Sequence, residues 1–242
     1  MMIGERLNGI NHKSKSSRNA AKNNPLPKPK TKSSLLRPKD QRPKKMIQTL
    51  MYFPPTLFWS LWKQAGQIKI ETADNYQKAS YRNRVHIAGP QGIQPLGIPL
   101  LKGKNSQKPY REVVIDNRQT WQRTHWRAIT AAYGKSPFFE HYESDLRPLF
   151  EQSWEYLFAF NLEALKVVKR LLKMDKEQYV LTEKYEQYPE SEDFRQIIRP
   201  NRDINHKFVP YVQVFADKTG FVPNLSVLDL LFCMGPEAQR FL

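Results

Sequence analysis

The sequence predicts an α+β domain over residues 46–242, in which an antiparallel strand cluster with a hairpin packs against a helical middle, followed by a short C-terminal helix. Three observations lead to this fold class. Short apolar runs with period-two alternation occupy the first half of the domain, whereas apolar residues recur every three to four positions through its middle. The last apolar run follows a serine that can cap a helix, which is typical of a final helix.

The first half of the domain alternates between strand and helix patterns. The apolar run at residues 47–53 predicts a strand that ends at a proline pair, and residues 67–71 alternate as a second strand. Between them, the apolar spacing of residues 56–65 predicts a short helix that ends before a glycine. A further strand is predicted at residues 113–116, directly before the helical middle.

Residues 81–99 predict a hairpin about a Gly-Pro-Gln-Gly turn at residues 89–92. Strand alternation places Arg82, Arg84 and His86 on one face. Such a face could bind a phosphate or a carboxylate, because the guanidinium fork matches those oxygens bidentately. The alternative is an exposed hairpin face that carries charge for solubility.

The helical middle is rich in aromatic residues. Residues 121–133 predict a helix whose buried stripe includes Trp121 and His125. A glycine ends this helix, and Ser136-Pro137 predict the N-cap and first residue of the next one. His125 is the unusual member of the stripe because it is titratable. It is interpreted either as a core histidine bonded to a backbone carbonyl or as a site residue poised by burial.

The second half begins with residues 148–173, which predict one long helix with Asn161 in its apolar seam. Asn161 is interpreted as bonding to a neighbouring backbone group or, alternatively, to a substrate. Residues 179–182 and 212–215 predict strands, and the polar, proline-broken residues 183–207 predict a loop that could cover a site.

The last predicted helix follows Ser226. Ser226 and Asp229 have capping-box spacing, so Asp229 is interpreted either as part of a cap or as a polar group of a site. The single cysteine, Cys233, excludes an intrachain disulfide and a cysteine-rich zinc site, and is interpreted as a small buried apolar residue.

Most of the positive charge lies in residues 1–45. These contain 13 Lys and Arg and two acidic residues, a net charge of +11 out of +16 for the chain, which leaves +5 for the remainder. The Lys, Ser, Asn and Pro composition predicts a disordered basic tail. Nucleic acid or an acidic membrane surface is a possible partner only through this tail. A misassigned start is the alternative, with Met46 as the true initiator.

Several protein classes are excluded by missing patterns. No apolar run approaches the roughly 18–20 residues that a membrane span needs, and there is no secretory signal, so a cytoplasmic location is expected. Glycine-rich nucleotide loops, the zinc-hydrolase motif and the nucleophile elbow of α/β-hydrolases are also missing. No cofactor and no metal site are therefore predicted.

Five stretches, in order and at suitable spacing, resemble the WbqC-like protein family, in the form found in Bacteroidetes. They are MYFPP at 51–55, YRNRVHIAGPQG at 81–92, LGIP at 96–99, HWRAITAAYGKSPFFEHY at 125–142 and FVPNLSVLDLLFCMGPEA at 221–238. The resemblance covers residue 47 to the end. It implies a role in surface-polysaccharide biosynthesis of the O-antigen type, and it transfers no catalytic residue. The family often has Asn where this chain has Cys233, which argues against Cys233 as a nucleophile.

Together these features suggest transfer of an acyl or aminoacyl group to a nucleotide-activated sugar or another glycan precursor. In this hypothesis the general acid or base is His125, and the anion ligands and polar supports are Arg82, Arg84, His86, Tyr133, Asn224 and Asp229. The alternatives are a non-catalytic scaffold in a polysaccharide assembly complex and nucleic-acid binding through the tail. An enzyme should bring the histidine and the arginines into one cleft.

Overall fold

A parallel sheet and an antiparallel hairpin form the strand part of the computed structural model, which describes residues 45–102, 105, 108–174, 178–200, 202 and 206–242. The sheet has the order β1-β2-β5 and contains β1 (Lys45–Thr49), β2 (Gln67–Glu71) and β5 (Tyr179–Leu181). The hairpin pairs β3 (Arg84–Gly89) with β4 (Gly92–Gly97). Apart from Lys45, the predicted basic tail lies outside the described residues.

The helices surround these strands and end in a C-terminal helix. They are α1 (Thr56–Gln64), α2 (Trp121–Tyr133), α3 (Phe139–Leu146), α4 (Pro148–Glu151), α5 (Leu157–Leu171), α6 (Ala216–Thr219) and α7 (Val227–Met234), with 3-10 helices at Tyr110–Glu112 and Gly235–Phe241. The predicted α+β class, the antiparallel hairpin and the C-terminal helix are confirmed. No helix within the described ranges is long and apolar enough to cross a membrane.

The three-stranded sheet is parallel throughout, so the predicted antiparallel pairing holds for the hairpin and not for this sheet. β1 pairs with β2 in parallel register from Lys45↔Gln67 to Thr49↔Glu71. The connection through α1 explains this direction, because a helical crossover returns the chain to the same end of the sheet. The carboxyl ends of β1, β2 and β5 therefore lie along one edge.

The prediction of a single helix at 148–173 is wrong, because α4 and α5 are separate helices. Gln152 is extended, with φ −88° and ψ 152°. The intervening backbone pairs with the predicted 113–116 strand instead: Ile115 N donates to Glu155 O at 2.9 Å, and Leu157 N donates to Val113 O at 2.9 Å. That strand is accordingly present only as isolated bridges such as Val114↔Tyr156.

Two further local predictions are also wrong. Ser136 does not cap α3, which begins at Phe139; the Ser136 hydroxyl donates to the Tyr133 carbonyl at 2.6 Å and so closes the turn after α2. Residues 212–215 are not assigned to a strand, and the Val212 side chain is 80% exposed.

Candidate functional site

Polar side chains collect at the carboxyl edge of the parallel sheet, where α/β proteins commonly bind ligands. Glu71, the last residue of β2, is fully buried. One of its carboxylate oxygens accepts a hydrogen bond from Thr182 Oγ1 at 2.8 Å, and the other accepts one from Arg195 Nη1 at 2.8 Å. This edge of the sheet therefore contains a buried ion pair between Glu71 and Arg195.

Arg195 attaches the segment 183–195 to this edge. Its Nε and Nη2 donate to the two carboxylate oxygens of Asp193 at 2.9 and 2.6 Å, and Nη2 also donates to Glu186 O at 3.1 Å. The Tyr185 ring centroid lies 4.4 Å from the guanidinium carbon. Because its donors are used within the protein, Arg195 holds the structure together and is not a free anion ligand.

Asp74 follows β2 by three residues and is the candidate proton carrier of the site. Its side chain is buried, with 5% of the residue exposed, and its Oδ2 accepts a hydrogen bond from Arg82 Nη2. Burial raises the pKa of Asp74 to about 6, against the opposing effect of the Arg82 charge. A carboxyl group with this pKa exchanges a proton near neutral pH, as a general acid or base must.

Arg82 and Asn161 extend the same buried network. The Arg82 guanidinium lies over the Tyr110 ring, 5.2 Å from its centroid. Asn161 Nδ2 donates to Arg82 O and to the Tyr110 hydroxyl, each at 2.6 Å. Three atoms of this network, Asp74 Oδ1, Arg82 Nε and Asn161 Oδ1, have no hydrogen-bond partner among the described residues. Because buried polar atoms are nearly always paired, these three atoms are available to bond to a polar ligand or to buried water.

Further arginines interact electrostatically with this network or with one another, and we call Arg84, Arg199 and Arg202 the cationic rim. Arg84 is half-buried. Burial raises the pKa of the Tyr76 hydroxyl, and the positive charges of Arg82 and Arg84 oppose that rise. Burial lowers the pKa of Arg199, and the charges of Arg82 and Arg202 lower it further. Arg199 Nη2 donates to Gln77 Oε1, and Arg202 Nη1 donates to Gln196 O at 2.6 Å, so only the remaining donors of these guanidiniums could bind a phosphate or diphosphate.

His125 lies in the aromatic core, and its described partners do not include the arginines. The Tyr52 hydroxyl and the imidazole Nδ1 share a hydrogen bond of 2.8 Å, and the imidazole also bonds to the Gly97 backbone. The ring stacks on Tyr52 and meets the edge of Trp121. Burial lowers the pKa of His125 to about 4, so the imidazole is neutral at pH 7. This placement matches the core interpretation of His125.

The other predicted anion ligands of the hairpin are placed differently from one another. Arg82 precedes β3 and is inside the protein, where Asp74 balances its charge. His86 is buried with its ring edge against Tyr81, and burial, followed by the charge of Arg84, lowers its pKa. The half-buried Arg84 has no hydrogen bond or ion pair among the described residues, so it is the predicted arginine best placed to bind an anion.

The predicted polar supports divide into two groups. Asn224 Oδ1 accepts a hydrogen bond from Leu57 N at 3.1 Å and so satisfies a free donor at the start of α1. Tyr133 and Asp229 lie close together, with the carboxylate of Asp229 accepting from Tyr211 and Gln213 at 2.6 and 2.9 Å. The capping interpretation of Asp229 is therefore wrong. The amide of Ser226, which it would have capped, donates to His86 O instead.

Sequence reasoning missed Asp74, Tyr110 and Arg199. The available signal was the position of Asp74 just after a predicted strand, but only parallel pairing makes that position a ligand-binding edge. In the part of the chain that is described, no group of three or more His, Cys, Asp or Glu side chains could hold a metal ion.

Comparisons with known proteins agree on one family. The profile of the WbqC-like protein family matches residues 50–205 and 173–241. The chain is 27% identical over 221 residues to the uncharacterized protein Rv1507c of Mycobacterium tuberculosis, a match that covers 79% of this chain and 94% of the relative. No solved structure matches. The chain belongs to the WbqC-like protein family.

Proposed function

We propose that this protein is a cytoplasmic transferase that moves an acyl or aminoacyl group onto an amine or hydroxyl of a nucleotide-activated sugar in surface-polysaccharide biosynthesis. The observation that carries the proposal is the Asp74 carboxyl, which has a pKa of about 6 and bonds to Arg82, whose charge also acts on Arg199. A proton acceptor beside clustered guanidiniums suits a substrate that carries both a reactive amine or hydroxyl and a diphosphate.

The proposed reaction needs only one proton carrier. The rim arginines bind the diphosphate oxygens, which fixes the sugar over Asp74. The sugar nitrogen or oxygen attacks the carbonyl carbon of an activated ester or thioester donor, and the Asp74 carboxylate accepts the proton of the attacking atom. The bond from the carbonyl carbon to the leaving oxygen or sulfur then breaks, and the leaving group keeps the electron pair and takes the proton from Asp74.

His125 is the alternative base, as predicted from the sequence. Against it, the imidazole is already engaged by Tyr52 and by the Gly97 backbone. His125→Gln keeps an amide donor and an acceptor in the same place. We therefore expect this variant to retain transfer activity, whereas a folded His125→Gln protein without activity would move the proton-transfer role to His125.

Binding is tested first, by a thermal-shift screen of the full chain against nucleotide-sugars. A ligand that binds only the folded protein adds about 2.7 kcal/mol to its stability at 100 times its Kd. Arg84→Gln and Arg199→Gln are expected to lose the shift, and Arg123→Gln, an exposed arginine on α2, is expected to keep it. If no nucleotide-sugar produces a shift, the proposal fails and the scaffold alternative takes its place.

Chemistry is tested next, with the nucleotide-sugar that binds. Asp74→Asn keeps an acceptor oxygen for Arg82 but cannot take up a proton. It is expected to retain the thermal shift and lose acyl transfer by at least about 100-fold, the lower range for general-base catalysis. Asp74→Glu, which preserves the negative charge opposite Arg82, is expected to restore part of the activity. Full transfer by folded Asp74→Asn would remove Asp74 from the mechanism.

A further inference from the structure

A cavity lies at the C-terminal end of α2, away from the residues of the Asp74 network. Its volume is ≈ 680 Å³, and it is bounded by residues 130–132, 134–137 and 212–215 and by Cys233 of α7. Small-molecule sites usually have volumes of about 300–1,000 Å³ and mainly apolar walls. The cavity shares no lining residue with the Asp74 network, so it needs a separate explanation.

The polar side chains in its wall are mostly satisfied by the protein. Gln213 Nε2 donates to Asp229 at 2.9 Å and to Val222 O at 3.0 Å, and Gln213 Oε1 accepts from Val222 N at 2.8 Å. The Ser136 hydroxyl donates to the Tyr133 carbonyl. These groups shape the wall and do not need a ligand to complete their hydrogen bonds.

The end of α2 contributes carbonyl oxygens that remain available. The last four carbonyls of a helix have no partner within that helix. Here the Thr130 carbonyl accepts from Gly134 N, and the Tyr133 carbonyl accepts from Ser136. The carbonyls of Ala131 and Ala132, both of which line the cavity, have no donor among the described residues. The cavity therefore presents acceptors, and a ligand with N–H groups would complement them.

Electrostatics favours a positive ligand at this end of α2. The C-terminus of a helix carries about half a negative charge, and α2 is 13 residues long. Behind the wall, Asp229 is fully buried, and burial raises the pKa of its carboxyl, which disfavours the charged form unless a cation lies nearby. Asp229 Oδ1 has no hydrogen-bond partner of standard geometry among the described residues. Burial is the main cause that raises the pKa of the Cys233 thiol, and the nearby Asp229 carboxyl raises it further.

We infer that this cavity binds a small primary amine. Its ammonium group donates to the carbonyls of Ala131 and Ala132, and its short apolar body packs against Val214 and Phe215. Lys135 lines the cavity but is an exposed residue, so its charge opposes the ligand through solvent. The site is independent of the transferase proposal, since it uses none of the residues of the Asp74 network.

The test compares three probes of equal chain length, n-hexylamine, n-hexanol and hexanoate, by calorimetric titration of the full chain. Hexylamine is expected to bind at least about tenfold more tightly than the other two, a ratio that separates charge recognition from apolar burial. Equal binding of all three probes, or tighter binding of hexanoate, would overturn the inference.

A matched pair of variants tests the location. Thr130 and Thr124 are both exposed threonines on α2, but only Thr130 lines the cavity. Thr130→Trp fills the space and is expected to weaken hexylamine binding at least about tenfold, whereas Thr124→Trp leaves it unchanged. Lys135→Gln removes the opposing charge and is expected to strengthen amine binding about two- to fivefold. Hexylamine binding that is unaffected by Thr130→Trp places the amine elsewhere and refutes the site.

Discussion

His125 shows at the scale of one residue how burial sets chemistry. Its residue surface is only 4% exposed, and burial lowers its pKa from 6.5 to about 4. The unfolded chain therefore binds a proton between these values while the folded protein does not. As the pH falls from 8 to 4, this one group should remove about 3 kcal/mol of stability, all of which is present above pH 6.5. Chemical denaturation across this pH range, for wild type and His125→Gln, measures the difference.

Asp74 has the opposite effect on the pH dependence of stability. The contribution of His125 must therefore be measured by comparing the wild type with the His125→Gln variant. Its pKa is raised from 3.8 to about 6, so the folded protein binds the proton more tightly and stability rises as the pH falls through this window. The two contributions partly cancel in the wild type. In His125→Gln only that of Asp74 remains, and this variant should lose less stability in acid than the wild type. Equal acid sensitivity of the two proteins would show that His125 is not held neutral.

At the scale of an element, the segment 183–195 depends on Arg195. Arg195→Met would leave the Glu71 carboxylate buried without its cation, which costs about 3–5 kcal/mol when a buried pair is broken. We expect a lower midpoint in urea and faster proteolysis within residues 183–195. The matched control is Arg240→Met, which also removes an arginine from a carboxylate, in an ion pair whose side chains are 79% exposed for Arg240 and 49% exposed for Glu237. The control should change neither property, and equal effects of both variants would refute the anchoring role.

The same scale shows what the sequence could predict. The helical period is sufficient to define α1, α2 and α7, and the glycine-proline turn defines the hairpin, because these patterns depend on local spacing alone. The break between α4 and α5 was not predictable in this way. Trp154 keeps the apolar period through the break because its ring packs on Phe160, while the backbone around it pairs with residues 113–115. The direction of the strands likewise depends on contacts between distant segments.

For the site, residue type was more predictable than environment. Arg82 and Arg84 were both expected as anion ligands from strand alternation. Arg82 lies inside the protein against Asp74, and Arg84 is half-buried and belongs to the cationic rim. Nothing in the local sequence distinguishes these environments. The distinction comes from Asn161, which lies 79 residues from Arg82, and from Tyr110, which lies 51 residues from Asn161.

At the scale of the whole molecule, Asn224 joins the two ends of the described domain. Its side chain accepts from Leu57 N, 167 residues away, and its own φ is 58°. Asn224→Ala should cost about 2 kcal/mol, from the lost helix-start hydrogen bond and from the left-handed backbone that alanine adopts poorly. Asn224→Gly should cost less, because glycine accepts this backbone conformation without strain. Urea unfolding measures both variants, and equal destabilisation by the two would show that the backbone conformation contributes nothing.

The contact between Glu71 and Arg195 also has a consequence during synthesis. The two residues are 124 positions apart, and a ribosome adding about 5–20 residues per second needs roughly 6–25 s to make the arginine after the glutamate. For most of that interval β1 and β2 have been synthesised, but β5 and the anchored segment have not. The nascent chain therefore exposes an unfinished strand edge and an unpaired acidic residue. We expect the cell to need a chaperone at that stage, because unpaired strand edges promote aggregation.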